Sequence, residues 1–443
     1  MAHKFPLIAA AVATAVASGY ATAAVPTLAQ AAGATNTLVI AGSSAAANGF
    51  ASAIEKDICG GSSNTLIAAS AGGSKNFLAY SCTTAVALGT LPANNLVTIY
   101  YRTEGGSVVG ALPIVSGAQI KRLNLSDSSC VQAANAVTCT VNGVTATAGP
   151  ADSWTGAVVA DTVQLGVTDV EPAQLTGADY PSAYSTAAFG TATPAQLKGL
   201  STSKLFQQVF GLVVNTSGQT FTTVNLSKAS AADILVGKYS DWSLVPDAAS
   251  GAPISSASSA ITRIDRENGS GTRTATNIYF LGYQCGSANA IANGATEALN
   301  FSTTDELTAA NGIPGAIAYA GIDNILNPSN KSKWTNLALV SINGVSPTNL
   351  AAAAGEYDYW FEATLVPNSA VSTSSVSGQI STFLQGDLPK LANAPALPDI
   401  NVIPGVGGNL ATVPLKNNGG TGTTEIYVNP FSRAGNSCNV PSI

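Results

Sequence analysis

The segment with the clearest chemical signal is residues 268–273, with the sequence NGSGTR. Its glycines allow the backbone to approach a ligand, and its amides and hydroxyls are hydrogen-bond donors. Arg266 precedes the segment and Arg273 ends it. Guanidinium groups have the fork geometry that suits oxyanions. The segment therefore predicts an anion-binding loop at the start of a helix; a capped helix in a chain rich in Ser and Gly is an equally weighted alternative.

Three further turns carry comparable residues. Each turn follows an apolar run that predicts a strand. The first turn contains Ser43 and Ser44, the second contains Ser107 and the third contains Asp169. Because the carboxyl ends of the strands in an open α/β sheet converge, we expect these turns to meet. A carboxylate accepts but does not donate hydrogen bonds, so Asp169 would repel sulfate and tolerate an oxyanion that keeps a proton. Taken alone, Asp169 is better explained as a strand-end residue that caps a turn.

Apolar and amphipathic runs predict the elements that position these turns. Strands are predicted at 37–40, 96–101, 163–167, 210–215 and 261–264. Helices are predicted at 45–58, from Arg273 through Leu281, at 375–391, and between a capping box at Ser230 and Gly237. Residues 123–158 predict a β-rich insertion, with a hairpin bracketed by Cys130 and Cys139. Strands that alternate with helices favour an α/β fold with largely parallel sheets.

The first 23 residues have the pattern of a secretory signal peptide. Lys4 precedes an apolar run at 7–16, and residues 21–23 (ATA) form a small-residue cleavage site. A membrane helix is the alternative, but the run is shorter than the roughly 20 residues that span a bilayer. Residues 24–36 are predicted to be a linker, and no cysteine stands at the cleavage point for lipid attachment. We therefore expect a periplasmic or secreted protein without membrane insertion.

Residue types that most hydrolases need are missing. His3 is the only histidine and lies in the predicted signal peptide. Its loss would remove Ser-His-Asp and Cys-His catalysis and zinc bound by histidine. The sequence also lacks a phosphate-binding P-loop, a G-x-S-x-G motif and an evident pair of catalytic carboxylates. We therefore expect no enzyme activity, no metal and no cofactor.

Cysteine and charge content agree with export. The six cysteines are an even number, which in an exported chain indicates disulfides. Fifteen pairings are possible; we predict Cys59–Cys82 and Cys130–Cys139, which close short loops, and Cys285–Cys438 by elimination. Only 9% of the residues are charged and the net charge is −6, which becomes −7 if Lys4 is removed. Without a basic patch, nucleic acid and anionic membranes are poor partners.

The order of these segments resembles the phosphate-binding proteins of bacterial phosphate ABC transporters, and their secreted relatives with a type II periplasmic-binding fold. The resemblance covers about two thirds of the chain and omits residues 60–98, residues 123–160 and the tail. The matching segments are AGSSAAA near Gly42, EGGS at Glu104, LGVTD ending at Asp169, FGLVVN at Phe210, VNLSKASAADILVGKYSDW from Val224, RENGSGTR at Arg266, IPGAIAYAG at Ile313, SINGVSP at Ser341 and YWFEATLV at Tyr359.

The resemblance implies a set of phosphate-binding residues. The first-turn hydroxyl falls on Ser44, with Ser43 as the alternative, and the second-turn serine falls on Ser107, with Gly106 as the alternative. The selective carboxylate falls on Asp169. The remaining family positions fall on Arg266, Ser270, Gly271 and Thr272. The chain departs from the family where Ala45 replaces an aromatic residue and where Asn268 replaces an aspartate that pairs with the arginine.

The resemblance also implies a two-lobed α/β architecture with mixed sheets, a hinge and β-rich insertions. Lobe I would comprise residues 36–209 and 363–443, and lobe II residues 210–362. The implied function is binding of an oxyanion, with phosphate as the leading candidate and an inner-membrane ABC permease as the partner. A secreted surface or matrix protein with a repurposed or lost site is the second hypothesis, motivated by the low charge, the disulfides and the Pro/Gly-rich tail. A secreted phosphatase is the third.

Overall fold

The computed structural model describes residues 24–71, 76–143, 152–291, 300–326, 332–386, 416–417, 426–427 and 431–442. The predicted signal peptide and most of the Pro/Gly-rich tail lie outside the described residues.

Twenty strands are assigned in the described part of the chain. In chain order they are β1 (Asn36–Gly42), β2 (Leu66–Ser70), β3 (Phe77–Thr83), β4 (Leu96–Arg102), β5 (Gln119–Leu123), β6 (Val131–Ala133), β7 (Ala136–Cys139), β8 (Val141–Asn142), β9 (Thr155–Gly156), β10 (Val158–Thr162), β11 (Leu165–Thr168), β12 (Ser203–Asn215), β13 (Asn225–Leu226), β14 (Thr262–Arg263), β15 (Ala316–Gly321), β16 (Leu337–Leu339), β17 (Ser341–Ile342), β18 (Trp360–Pro367), β19 (Lys416–Asn417) and β20 (Ile426–Tyr427).

Short helices connect many of these strands. They are α1 (Leu28–Ala32), α2 (Ala47–Ala53), α3 (Leu112–Ser116), α4 (Ala183–Phe189), α5 (Pro194–Lys198), α6 (Lys228–Leu235), α7 (Gly271–Thr276), α8 (Thr303–Gly312), α9 (Asp323–Leu326), α10 (Asn349–Ala353) and α11 (Val376–Gly386). The π-helical turns Ile54–Ile58 and Asn277–Leu281 extend α2 and α7, and a 3₁₀ helix at Gly106–Gly110 follows β4.

One large mixed sheet organises the molecule. Its strand order is β14-β15-β12-β18-β11-β1-β4-β3-β2-β7-β6, and β16 pairs with β12 beside this path. Strand β1 lies parallel to both β4 and β11, whereas β18 is antiparallel to β11 and β12. The mixed α/β architecture confirms the predicted fold class. The prediction of largely parallel sheets is wrong, because most neighbouring strands of the large sheet pair antiparallel. The predicted β-rich insertion contains β6 to β9 and ends where β10 begins, and its predicted hairpin is β6 with β7.

Strand β12 joins β14, β15 and β16 to the rest of the sheet. Its first part pairs with β18, where Val209 lies opposite Trp360, and its second part pairs with β15, where Phe210 lies opposite Gly321. The strand is therefore longer than the predicted 210–215, because its first residues find a partner in a strand more than 140 positions away, which local pattern does not reveal.

Both faces of the central strands are buried. In β1, Leu38 and Ile40 belong to one apolar cluster, whereas Val39 and Ala41 belong to another. Successive strand residues point to opposite faces, so a continuous apolar run is what a strand covered on both sides requires. Phe50, Ile54 and Ile58 of the segment predicted as a helix at 45–58 pack in the first of these clusters.

Two local predictions differ from the structure. The segment predicted as a linker contains α1, where Thr27 and Gln30 form a reciprocal capping box. Helix α6 begins earlier than the predicted capping box at Ser230, because the Ser227 hydroxyl accepts the hydrogen bond from the Ser230 amide at 2.9 Å. A serine three positions upstream was an equally good cap, and the structure decides between them.

All three predicted disulfide pairings are those of the structure. Cys59–Cys82 ties the turn after α2 to β3, and Cys130–Cys139 closes the β6–β7 hairpin. Cys285–Cys438 joins two residues that are 153 positions apart and pins the C-terminal segment.

Candidate functional site

Three of the predicted turns meet because their strands are adjacent and parallel. Ser43 and Ser44 follow β1, Ser107 lies in the 3₁₀ helix after β4, and Asp169 follows β11 directly. The registers of β1 with β4 and with β11 bring the carboxyl ends of these strands side by side. Asp169 is 2% exposed and Ser107 is fully buried. The sheet therefore gathers the predicted polar residues at one edge.

Asp169 is the centre of this arrangement. Its carboxylate accepts hydrogen bonds from the hydroxyl of Ser43 and from that of Thr272, the latter at 3.1 Å. Its backbone amide donates to the Ser107 hydroxyl at 2.9 Å. Three separate turns are thus linked through one residue. We call these residues, together with Ser44, Arg266, Ser270 and Gly271, the loop cluster.

The predicted anion loop reaches the cluster from the other part of the sheet. Ser270 is the N-cap of α7, and its hydroxyl accepts a hydrogen bond from the Arg273 amide at 3.3 Å. At Gly271, a Cβ atom would lie 2.1 Å from Ser107 Oγ and 2.9 Å from Asp169 Cβ. Only glycine permits the helix start to approach the other turns so closely.

Arg266 is buried beside this loop. It is 1% exposed, and its guanidinium donates to the carbonyl oxygens of Asn300 and Phe301 at 3.1 and 3.2 Å and to the Thr303 hydroxyl at 3.1 Å. A Cβ atom on Gly106 would lie 3.4 Å from Arg266 Nη2. The guanidinium therefore lies against the second turn. The guanidinium of Arg273 donates to the backbone carbonyl of Arg266, at 3.1 Å.

Thr303 is a member of the site that the sequence analysis did not identify. As the first residue of α8, it accepts from Arg266, and its hydroxyl and amide both lie 3.1 Å from Ser44 Oγ. Ser302 caps this helix, and Asp305 follows at the third position after the cap. That pattern in the sequence predicts a helix start, but not its position beside Ser44.

Burial and the charge of Arg266 shift the pKa values of the acidic residues in and beside the loop cluster in opposite directions. Desolvation raises the pKa of the Asp169 carboxyl, and this shift is opposed by the Ser43 hydrogen bond, by Arg266 and by Thr272. Burial likewise raises the pKa of Glu267 to about 8 and that of Glu306 to about 8, with Arg266 opposing both shifts. Near neutral pH these two groups are protonated, so neither of them offsets the charge of Arg266.

All eight predicted residues therefore lie in one cluster, but in two connected halves. Ser43 and Thr272 bind Asp169, whereas Ser44 is linked through Thr303 to Arg266. Ser44 is partly exposed and the other members are buried. Chemically, the cluster combines hydroxyl donors, one carboxylate acceptor and one guanidinium.

Within the described residues, no group of three or more His, Cys, Asp or Glu side chains is arranged to hold a metal ion. None of the helices described is long and apolar enough to cross a membrane.

Comparison with known proteins gives matches in structure alone. No protein-family model matches the sequence. No curated protein matches it either.

Several solved structures match this chain at low sequence identity. A protein from Clostridium perfringens solved with bound phosphate is 13% identical, with 83% of this chain and 99% of that chain covered and a TM-score of 0.46. A phosphate-binding protein from Stenotrophomonas maltophilia is 13% identical, with 83% and 90% covered and a TM-score of 0.42. A high-affinity periplasmic phosphate-binding protein, PfluDING, is 15% identical, with 83% and 90% covered and a TM-score of 0.45.

Proposed function

We propose that the protein is an extracytoplasmic solute-binding protein that binds a small oxyanion at the loop cluster. Phosphate is the leading candidate for this oxyanion. The observation that carries this proposal is the convergence of Asp169, Arg266 and the start of α7 in one buried cluster, in which the bonded residues Asp169 and Thr272 are 103 positions apart. A buried carboxylate beside hydroxyl donors and a guanidinium has both the acceptor and the donors that a partly protonated oxyanion needs.

Each member has a distinct role in this proposal. Arg266 neutralises the charge of the anion, and the hydroxyls of Ser43, Ser44 and Ser107 donate hydrogen bonds. The loop residues Ser270, Gly271 and Thr272 contribute the amides and hydroxyls of a helix start. Asp169 accepts the proton that hydrogen phosphate carries and sulfate lacks near neutral pH. No covalent step is involved, so the protein is proposed not to be an enzyme.

Strands β12 and β18 are the proposed hinge between lobe I (36–209 and 363–443) and lobe II (210–362). The two strands pair with each other, and the part of β12 beyond the proposed boundary pairs with β15. An anion that binds groups of both lobes would favour the closed arrangement through its differential contacts. An inner-membrane ABC permease would be the partner that recognises this state.

A second candidate is a secreted surface or matrix protein that retains the fold without the ligand. One observation favours it: the polar side chains of the cluster bond to one another, with Asp169 held by Ser43 and Thr272 and Arg266 held by two carbonyl groups. Binding of an anion would require these contacts to be exchanged for contacts with the ligand.

Isothermal titration of the purified protein near pH 7 tests the proposal, with phosphate and sulfate as the two ligands. Phosphate is expected to bind and sulfate is not. In Asp169→Asn the amide can donate a hydrogen bond, so phosphate affinity should fall more than tenfold and sulfate should gain affinity. Glu356→Gln, at an exposed position, is the control and should bind phosphate as the unaltered protein does.

Absence of heat and of thermal stabilisation with both anions, on folded protein freed of carried-over ligand, would overturn the phosphate proposal and favour the surface-protein candidate. Turnover of a chromogenic phosphate ester would instead identify a phosphatase.

A further inference from the structure

A cavity of about 350 Å³ adjoins the loop cluster at Ser44. Its walls come from two separate stretches of chain, one between Ser44 and Thr103 and the other between Ser302 and Asn324. The volume lies within the range of cavities that bind small organic molecules. It equals the volume of about twelve liquid water molecules, which is far more than the five non-hydrogen atoms of inorganic phosphate occupy.

The cavity wall has both apolar and polar parts. Ile67, Ala69 and Leu78 from β2 and β3 contribute aliphatic surface, as does Ala51 of α2. The polar lining residues are Ser44, Asn48, Ser52, Glu55, Lys56, Asn76, Tyr80, Thr103, Ser302, Thr304 and Asn324. A wall of this kind suits a molecule that has both C–H surface and hydroxyl groups.

Asn76 gives the cavity an unused hydrogen-bond donor. It is 1% exposed, and its side-chain amide nitrogen has no hydrogen-bond partner among the described residues. Its backbone is fixed, because its carbonyl accepts from the Thr103 amide at 2.9 Å. An unsatisfied buried donor destabilises the protein, so a ligand oxygen that accepts from Asn76 would remove that penalty.

Tyr80 adds a second polar group to the same wall. It is 4% exposed, and burial together with the charge of Glu55 raises the pKa of its phenol. The phenol is therefore neutral throughout the physiological range and can both donate and accept a hydrogen bond.

Ser44 connects this cavity to the proposed anion site. It is the residue of the loop cluster that also lines the cavity, and its hydroxyl binds Thr303, which in turn binds Arg266. An oxyanion held by this cluster would therefore have one oxygen near Ser44, on the side of the cavity.

We propose that the ligand is a phosphate monoester of a small polyol, whose phosphate group binds the loop cluster and whose organic group occupies this cavity. The assignment rests on the proposed anion-binding function. The ester oxygen passes Ser44, the carbon chain lies on Ile67, Ala69 and Leu78, and a hydroxyl accepts from the Asn76 amide. No bond is made or broken.

Titration calorimetry with glycerol 3-phosphate, inorganic phosphate and glycerol tests the assignment. The ester is expected to bind at least tenfold more tightly than phosphate, and glycerol alone is not expected to bind. Ala51→Leu adds side-chain volume to the cavity, so affinity for the ester should fall to that for phosphate. The matched control is Ala187→Leu at an exposed position of α4, which should leave both affinities unchanged.

Asn76→Ala is a second test that does not fill the cavity, and it should weaken ester binding about fivefold without changing phosphate binding. Tighter binding of phosphate than of the ester, or equal ester affinity in Ala51→Leu and the unaltered protein, would overturn the assignment and leave the anion site standing. Failure of both the phosphate and the ester to bind would instead overturn the proposed function.

Discussion

Buried acidic residues surround Arg266, the positive charge of the loop cluster. Asp169, Glu267 and Glu306 are each at most 2% exposed, and the charge of Arg266 opposes the rise in pKa that burial causes in each of them. One guanidinium does not offset three ionised carboxylates. Protonation of the two glutamates leaves the site closer to neutral, which favours an incoming anion.

Glu267 should give stability a measurable pH dependence. Its pKa is about 8 in the folded protein, against an ordinary value of 4.5. Between pH 4.5 and about pH 8, Glu267 therefore binds a proton when the protein folds, and the free energy of unfolding decreases as the pH rises through this range. In Glu267→Gln this loss should be smaller, so that the variant has the higher melting temperature at pH 8 but not at pH 5.

Thermal unfolding followed by circular dichroism measures this effect. Glu356→Gln, at an exposed position, is the control and should keep the pH dependence of the unaltered protein. Identical slopes of melting temperature against pH in Glu267→Gln and the unaltered protein would show that Glu267 is ionised in the folded state.

The loop cluster depends on how closely α7 approaches the turns after β4 and β11. The Val108 amide donates to the Gly269 carbonyl at 3.0 Å, and Gly271 lies against Ser107 and Asp169. These backbone contacts tie the start of α7 to the central strands. The position of α7 therefore depends on the missing side chain at Gly271 as well as on the hydrogen bond to Gly269.

Gly271→Ala should separate these elements. Its Cβ atom would lie 2.1 Å from Ser107 Oγ, so the helix start or the 3₁₀ helix must move, at a cost of about 1–3 kcal/mol in the free energy of unfolding. Denaturant unfolding measures this cost, and calorimetry should show loss of phosphate binding. Gly312→Ala is the control, because a Cβ atom there meets no atom within 4 Å. Equal stability of the two variants would contradict the tight packing at Gly271.

The C-terminal segment 431–442 connects distant parts of the molecule. Arg433 is 6% exposed and donates to the carbonyl oxygens of Trp360 and Asp358 at 3.0 and 2.8 Å. The Ser437 amide donates to Glu171 at 2.9 Å, and the next residue forms the disulfide with Cys285. The segment thus links β18 to both sides of the proposed lobe boundary.

Replacing Cys285 and Cys438 together by serine should lower stability more than replacing the Cys130–Cys139 pair. Chain entropy predicts losses of about 5 and about 2.5 kcal/mol for loops of these lengths, because the longer cross-link restricts the unfolded chain more. Chemical denaturation of both double variants tests the difference. A smaller loss for the longer loop would contradict the chain-entropy account of this cross-link.

The sequence alone determined the α/β class, the core strands and the candidate residues of the loop cluster, whereas it left fifteen disulfide pairings possible, among which the predicted one is that of the structure. These features follow from local chemistry: apolar runs predict buried strands, small polar residues after them predict turns, and NGSGTR predicts a capped helix start. Parallel neighbours then bring Ser43, Ser107 and Asp169 together without further information.

Only the tertiary structure decided which groups these residues contact. Thr303 lies 259 positions from Ser44, and no local pattern indicates that their hydroxyls meet. The early start of β12 depends on pairing with β18, and the cavity beside Asn76 forms between two stretches of chain about 200 positions apart. Such contacts depend on packing between distant elements, whereas sequence periodicity reports only the face of a single element.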